Sequence, residues 1–392
     1  MRPSASLLAL AGIIGPLFGF GVAAHAQFLV IGDDNKLHFD DAGKQVFTAP
    51  GKDEVVIVDI KNRESPAIVA SLPLTNTVIG PPTNLAVTPN ESLALVANSL
   101  SYEPNDAGGW KPVPDNKLYV IDLQAAPPKL IETLEIGKQP SGMAINKTGD
   151  LALVADRADN AVTVLRINGK EVKAVQTIAL GDTVSAVAIT PDGKHALVTK
   201  HAANKVAWLD IDGPTVSYGK HDIAVGVWPY NVQITADGRF ALTVNQGNGG
   251  AADGGAGSVS VIDLKANPPH LVDYVTVGPY PEGLGVSPKG WLAIAVAING
   301  SGAVPNGAWY ATSNSLLDLM STADGRVRKI GSVKAGRLAE GIAFSPDGEY
   351  LYVGNFSDSD LQIFKVEGEN VRDTGKVVKL PGHPASVRGN TP

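Results

Sequence analysis

Short apolar runs alternate with tight-turn residues along most of the chain, in a pattern that repeats six times. Each repeat opens on a turn with a small residue, continues into an apolar run, reaches a turn of the Pro-Asp-Gly kind and enters a second apolar run. Repeats of this length that consist of strands indicate the blades of a β-propeller rather than a helical solenoid. The small residues at the openings lie 44 to 58 residues apart, at Asn84, Gly142, Ala186, Asn231, Gly283 and Gly341, and Ser386 begins a truncated seventh repeat.

The repeat that begins at Gly341 predicts four short strands, which we label a to d. Each run is rich in Val, Ile and Leu and is bounded by Gly, Pro, Asn or Asp, as strands joined by tight turns are. The four runs are residues 341–345, 350–354, 361–366 and 376–380.

The first repeat, which begins at Phe28, contains strands b, c and d but no strand a. Residues 384–389, at the other end of the chain, have the form of a strand a without a blade. Letting this C-terminal strand complete the first blade hides both open sheet edges and closes the ring. We therefore predict an all-β, seven-bladed β-propeller with four-stranded antiparallel blades, as a single domain over residues 27–392.

Residues 1–26 have the features of a secretory signal peptide. Arg2 is followed by an apolar stretch, and Ala24-His-Ala26 forms a small-x-small cleavage site. We expect cleavage after Ala26, a periplasmic or secreted protein and no membrane insertion. The chain has no Cys, which excludes disulfides, thiolate metal sites and covalent haem attachment.

The charge of the chain narrows the range of partners. The net charge is −7 and the sequence has no block of Lys or Arg, which argues against nucleic acid and anionic membranes as partners. We expect a monomer that binds a small organic molecule or a partner protein.

One blade carries a family resemblance. The segment Tyr350-Leu-Tyr-Val-Gly-Asn-Phe-Ser-Asp-Ser-Asp-Leu-Gln-Ile-Phe364 resembles the repeat of exported YVTN-type β-propellers. The resemblance implies a propeller that serves as a binding protein, as a subunit of a periplasmic redox enzyme, or as a lactonase-like or muconate-cyclase-like enzyme. Because one scaffold serves all these roles, the resemblance leaves the activity open.

The connections from strand b to strand c are expected on the face of the ring that carries function. Four of them are long, over residues 33–53, 98–116, 245–258 and 298–314. Aromatic residues on this face would form a platform for a ligand, although each could instead pack its own loop onto the blade. The predicted ligand-binding residues are Tyr102, Trp110, Arg157, Trp228, Tyr230, Tyr280, Trp309 and Tyr310.

Residues that begin strand a should lie closest to the channel. Glu282 and Glu340 occupy this position in two blades, and a His near a Glu forms an acid–base pair. Oxygen ligands from the two Glu residues with Asn84 and Asn231 could instead hold Ca²⁺, unless Arg337, Lys200 or Lys138 neutralises the carboxylates. The predicted catalytic residues are Glu282, Glu340, His383, Arg337, Lys200 and His201.

The sequence favours a binding protein over an enzyme. It contains no Gly-x-Ser-x-Gly elbow and no His-Glu-x-x-His motif. The first alternative is a cofactor-independent lactonase, cyclase or isomerase that uses the carboxylates and histidines at the channel mouth. The second is a non-catalytic subunit of a periplasmic redox complex.

Overall fold

The computed structural model describes residues 27–248 and 252–390. These residues form seven four-stranded antiparallel sheets, in which the strands a of neighbouring blades contact one another and form the inner ring. The prediction of a seven-bladed β-propeller is confirmed. The predicted signal peptide, residues 1–26, lies outside the described residues. In the part of the chain that is described, no helix has the length and apolar character needed to cross a lipid bilayer.

Strands are numbered β1 to β30 in chain order, and the four strands of each blade are named from the inner strand a to the outer strand d. Blade 1 is β30 (Pro384–Gly389), β1 (Phe28–Asp33), β4 (Glu54–Asp59) and β5 (Ala67–Leu72). Blade 2 is β6 (Leu85–Val87), β7 (Leu93–Pro104), β8 (Trp110–Asp122) and β9 (Lys129–Glu135). Blade 3 is β10 (Pro140–Ile145), β11 (Leu151–Asp156), β12 (Ala161–Asn168) and β13 (Glu171–Ala179).

The remaining four blades follow the same order. Blade 4 is β14 (Val184–Ile189), β15 (His195–Lys200), β16 (Lys205–Asp212) and β17 (Thr215–Ala224). Blade 5 is β18 (Pro229–Ile234), β19 (Phe240–Asn245), β20 (Ala256–Asp263) and β21 (His270–Pro279). Blade 6 is β22 (Pro281–Val286), β23 (Leu292–Ala297), β24 (Ser315–Ser321) and β25 (Arg328–Ala335). Blade 7 is β26 (Ala339–Phe344), β27 (Tyr350–Asn355), β28 (Asp360–Glu367) and β29 (Asn370–Lys379).

The two ends of the chain close the ring. Strand β30 pairs antiparallel with β1, so that Val387 lies opposite Ile31. Val387 and Ile31 are fully buried and belong to an apolar cluster with Tyr352 and Ile363 of blade 7. The predicted role of residues 384–389 as strand a of blade 1 is confirmed.

Close packing of the inner strands explains the small residue at each repeat opening. A Cβ on Gly142 would lie 2.6 Å from the Cα of Ala186 in the next blade. A Cβ on Gly283 would collide with the backbone carbonyl of Glu340, and one on Gly341 with the backbone of Val387. Larger side chains would push neighbouring blades apart, because backbone atoms cannot move aside as a flexible side chain can.

Two of the predicted long connections contain strands of their own. Residues 98–116 are not a loop, because β7 and β8 extend as a paired ribbon as far as Pro104 and Trp110. The period-2 pattern weakens in this segment, which explains why the sequence suggested a loop. The connection in blade 1 contains a second hairpin, β2 (Leu37–Phe39) with β3 (Gln45–Phe47).

Candidate functional site

Two glutamates from adjacent blades meet at the mouth of the central channel. Glu282 is the second residue of β22 and Glu340 the second residue of β26. Their side chains lie within hydrogen-bonding reach of each other, and the residues are only 7% and 3% exposed. The close approach follows from the packing of Gly283 against the backbone of Glu340. The structure therefore brings together the two carboxyl groups that the sequence placed at the channel.

Burial raises the pKa of both carboxyl groups. It raises the pKa of Glu282 to about 7, while the hydrogen bond with Glu340 and the positive charge of Arg157 oppose this rise. Burial and the charge of Glu282 raise the pKa of Glu340 well above its usual range. Two carboxyl groups in one dry site cannot both ionise without large cost, so one proton is held between them at neutral pH.

Gln246 fixes the position of one carboxyl group. Its Nε2 donates a hydrogen bond to Oε1 of Glu282 at 2.9 Å, and Asn231 Nδ2 donates to the backbone carbonyl of Glu282 at 3.1 Å. Among the described residues, Oε2 of Glu340 is buried without a hydrogen-bond partner. An unpaired buried oxygen is costly in a folded protein and commonly marks a place where a ligand or ordered water binds.

Arg157 supplies the positive charge at this site. Its guanidinium lies over the ring of Tyr230, 5.7 Å from the ring centroid. Its Nε and Nη1 atoms are buried and have no hydrogen-bond partner within the described residues. Arg157 follows β11 directly, in the short turn to β12. Unused N–H donors of a buried guanidinium can bind an oxyanion or a carboxylate.

His201 lies beside Arg157 and packs against aromatic rings. Its imidazole centroid is 5.0 Å from that of Trp228 and 6.4 Å from that of Tyr230. Burial and the neighbouring charge of Arg157 lower the pKa of His201 to about 3. The ring is therefore neutral at pH 7 and offers a neutral donor or acceptor rather than a positive charge.

We call these six residues the mouth cluster: Arg157, His201, Tyr230, Gln246, Glu282 and Glu340. Sequence analysis identified five of them and missed Gln246. A signal was present, because Arg157, His201 and Gln246 each follow the last residue of a strand b. In an internally repeated fold, equivalent positions of successive blades lie around the same axis. Reading the sequence by this position would have found Gln246.

The same position in blades 6 and 7 carries apolar residues, which belong to a cap over part of the mouth. Ile298 and Phe356 each follow a strand b and pack with Leu37 and Leu338 in one buried cluster. Tyr280 packs against this cluster. We use the name cap for residues 34–53 together with this cluster. The four cluster residues named here are buried, so the cap has an apolar interior.

A buried lysine anchors the cap at blade 1. Lys36 Nζ forms ion pairs with Asp34 Oδ1 at 3.2 Å and Asp53 Oδ2 at 2.6 Å, and the Lys36 and Asp34 side chains are fully buried. It also donates to the carbonyl of Asn76. Because an ion pair of this kind is expensive to break by losing one partner, it holds the two ends of the segment together.

Three predicted catalytic residues lie away from the mouth cluster. Lys200 pairs with Asp222 at 2.9 Å, on the outer strand of its own blade. Arg337 pairs with Asp358 at 2.8 Å and is largely exposed. The Nδ1 atom of His383 lies 2.8 Å from the carbonyl of Phe356. Each side chain is held by a local partner, which the linear sequence did not reveal, and none contacts Glu282 or Glu340.

Of the aromatic residues predicted to form a ligand platform, some lie at the mouth and others lie elsewhere. Trp228, Tyr230 and Tyr280 lie at the mouth, where burial raises the pKa of both tyrosines above their usual range. Tyr102 is buried against Phe47 of the cap, with ring centroids 5.1 Å apart. The remaining three lie on the two long connections, at Trp110, Trp309 and Tyr310, and Trp309 is 84% exposed.

The two Asn residues among the proposed Ca²⁺ ligands use their Nδ2 atoms in different contacts. Asn84 Nδ2 donates to the carbonyl of Ala97 at 3.0 Å, whereas Asn231 contacts the backbone of Glu282. Within residues 27–248 and 252–390, no three His, Asp or Glu side chains are arranged to hold a metal ion. A Ca²⁺ site formed by Glu282, Glu340, Asn84 and Asn231 stays a prediction.

Comparison with known proteins shows the fold. No protein-family model and no curated protein matches the chain in sequence. A proposed 6-phosphogluconolactonase from Bacteroides fragilis superposes with a TM-score of 0.70 at 15% identity, covering 94% of this chain and 99% of that one. The periplasmic gluconolactonase of Pseudomonas aeruginosa gives a TM-score of 0.66 at 17% identity, covering 93% and 98%. Hydrazine synthase of Kuenenia stuttgartiensis gives 0.56 at 18% identity, covering 74% and 78%.

Proposed function

We propose that the mouth cluster binds a small hydroxylated organic molecule and that the chain is a lactonase-type hydrolase. The observation that carries the proposal is the carboxyl pair, Glu282 and Glu340, which is buried and lies close enough to share one proton. Two such groups supply a base and an acid at the same pH, which is what hydrolysis of an ester bond requires.

The proposed reaction assigns one step to each carboxyl group. Glu282, as carboxylate, takes a proton from a water molecule, and the resulting hydroxide attacks the lactone carbonyl carbon. When the ring C–O bond breaks, Glu340 donates its proton to the leaving alkoxide oxygen. The product is an open-chain hydroxy acid. Transfer of the proton from Glu282 to Glu340 restores the starting state, so protons balance over the cycle.

Arg157 can stabilise the negative charge that develops on the substrate during this reaction. Its buried, free N–H donors can stabilise the oxyanion of the tetrahedral intermediate. Tyr230 holds the guanidinium from one face. The same donors can also bind the carboxylate of the hydroxy acid product.

Solved structures with a similar fold support the proposal of a lactonase-type hydrolase. Of the solved structures with a similar fold, one is described as a proposed 6-phosphogluconolactonase and another as a periplasmic gluconolactonase. We propose the same compartment for this chain, by way of the signal peptide predicted at residues 1–26. Identities of 15% and 17% carry no residue roles, and the proposed roles rest on the mouth cluster alone.

A second candidate function is ligand binding without turnover. It is favoured by the cap, because Glu282 and Glu340 are almost fully buried beside an apolar cluster that includes Tyr280. A closed site of this kind retains a ligand and admits water poorly, which suits a binding protein better than a hydrolase.

The test is proton release from a panel of sugar lactones at pH 7, including glucono-1,5-lactone, above the rate of spontaneous hydrolysis. We expect the native chain to accelerate hydrolysis of at least one lactone. Arg157→Gln should lower kcat by roughly a hundredfold, as loss of an oxyanion donor does. The matched control is Arg372→Gln, an exposed arginine on β29 of blade 7, which should have native activity.

Two outcomes would count against hydrolysis. If no lactone is hydrolysed but calorimetry shows that a sugar lactone binds through Arg157, the second candidate is correct. If the panel neither binds nor reacts, the mouth cluster does not serve this class of ligand.

A further inference from the structure

A separate cavity of about 430 Å³ lies at the opposite end of the channel. Five of the seven inner strands contribute the residues at or near their C-terminal ends, among them Val87, Ile145, Ile189 and Ile234. Glu282 and Glu340 stand at the N-terminal ends of their strands, so the two sites are at opposite faces of the ring. We call this space the lower cavity. Its volume is in the range of small-molecule pockets.

The lower cavity combines an aliphatic surface, formed by the strand ends, with a polar part of its wall that includes Asn146, Thr190, Gln233 and Asn390. Arg388 of β30 lies in its wall, and burial lowers the pKa of Arg388 to about 10. Within the part of the chain that the structure describes, Arg388 has neither an ion pair nor a side-chain hydrogen bond, although most Lys and Arg side chains of blades 1 and 7 have one.

The charge of the wall is unusual for this chain. No Asp or Glu is among the residues that line the lower cavity, and Lys147 lies at its edge, in a protein with a net charge of −7. A guanidinium without a protein partner keeps its N–H donors available for an anionic ligand.

We propose that the lower cavity binds a small organic anion with an apolar body, held by its carboxylate at Arg388 and by its hydrocarbon part against the strand ends. The aliphatic strand ends and the single guanidinium in the wall together favour an amphipathic monocarboxylate. Inorganic anions would leave the apolar wall without contacts, and neutral hydrocarbons would leave Arg388 unpaired. The inference is independent of the hydrolase proposal, because it uses no residue of the mouth cluster.

The probe is octanoate, whose hydrocarbon chain fits the volume, and binding to the full chain is measured by titration calorimetry. We expect saturable binding of octanoate, and binding of octan-1-ol that is weaker by about tenfold or more, because the alcohol lacks the charge-assisted hydrogen bonds. Arg388→Gln should weaken octanoate binding by a similar factor. This comparison of two ligands on the native chain holds even if the variant does not fold.

Two further variants locate the bound anion. Ala236→Trp narrows the edge of the lower cavity and should abolish binding, whereas Glu282→Gln at the mouth cluster should leave octanoate affinity unchanged. Equal binding of octanoate and octan-1-ol, equal binding to Arg388→Gln and native protein, or no binding at all would overturn the proposal. Loss of binding in Glu282→Gln would also overturn it, since it would place octanoate at the mouth cluster.

Discussion

Gln246 donates a hydrogen bond to Glu282 at 2.9 Å, and this contact distinguishes the two members of the carboxyl pair. An amide donor stabilises the charged form of a carboxyl group. Glu340 has no such donor on its buried Oε2 among the described residues, and the hydrogen bond between the two groups lowers the pKa of Glu282 but raises the pKa of Glu340. Glu282 is therefore the ionised partner and Glu340 the protonated one.

The first prediction follows from these assignments. Glu282→Gln and Glu340→Gln should each lower kcat for lactone hydrolysis by roughly 10²-fold to 10⁴-fold, the usual contribution of a positioned acid or base. The melting temperature should not fall, because each change removes a buried ionisable group while keeping its shape. Steady-state kinetics and thermal melts measure the two effects.

Glu91→Gln is the matched control for both variants. The pKa of Glu91 is also raised by burial, to about 7, but Glu91 lies in the turn between β6 and β7 and hydrogen-bonds with Asn390 near the lower cavity. It should keep native kcat. Native activity in Glu282→Gln would show that the carboxyl pair has no acid–base role.

The second prediction concerns ring closure. Deleting residues 384–392 removes β30, which exposes the edge of β1 and the apolar cluster around Val387. We expect a lower melting temperature, by about ten degrees or more, and aggregation through the open edge. Deleting only residues 391–392 is the control. A truncated chain that melts like the full-length protein would show that β30 does not stabilise the ring.

The fold was predictable because its signal is local and repeated. A turn residue and a period-2 run occur in every blade, so an error in one blade is corrected by the others. The first blade lacked a strand a and the C-terminal segment around Ser386 had the form of a strand a, so the sequence implied that the two ends pair and close the ring. The extension of β7 and β8 beyond Asn98 was not predictable, because its exposed residues alternate less regularly.

The site was predictable only where topology decides position. The residue that begins strand a must face the channel, which identified Glu282 and Glu340. Lys200 and Arg337 were also placed there, but each forms an ion pair with a carboxylate about twenty residues away in sequence. Pairing between side chains depends on registers and rotamers that the order of residues does not contain.

The third prediction concerns pH and stability. Burial raises the pKa of Asp33 from 3.8 to about 8. Between these values the folded state holds a proton that the unfolded state has released, so Asp33 lowers stability progressively as pH rises from 4 through 8. Native protein should therefore lose more unfolding free energy between pH 6 and pH 9 than Asp33→Asn, which has no such proton to lose.

Urea denaturation at pH 6, 7, 8 and 9 gives the free energy of unfolding as a function of pH for native protein and for Asp33→Asn. Asp273→Asn, a change at an exposed carboxylate on β21, should follow the native curve. If Asp33→Asn also runs parallel to the native curve, Asp33 is ionised in the folded state and its pKa is not raised.

The last prediction separates the two tryptophans that the sequence assigned to one platform. Trp228 packs against His201 in the mouth cluster, whereas Trp309 is 84% exposed and contacts the ring of Tyr310. Trp228→Ala should weaken binding of a sugar lactone by about 2 kcal/mol, as loss of a buried aromatic anchor does. Trp309→Ala should leave both affinity and melting temperature unchanged, because a side chain that stays in water contributes little to either. Calorimetry measures the lactone affinity of both variants. A larger loss of affinity in Trp309→Ala than in Trp228→Ala would show that the binding surface is the long connection of blade 6 and not the channel mouth.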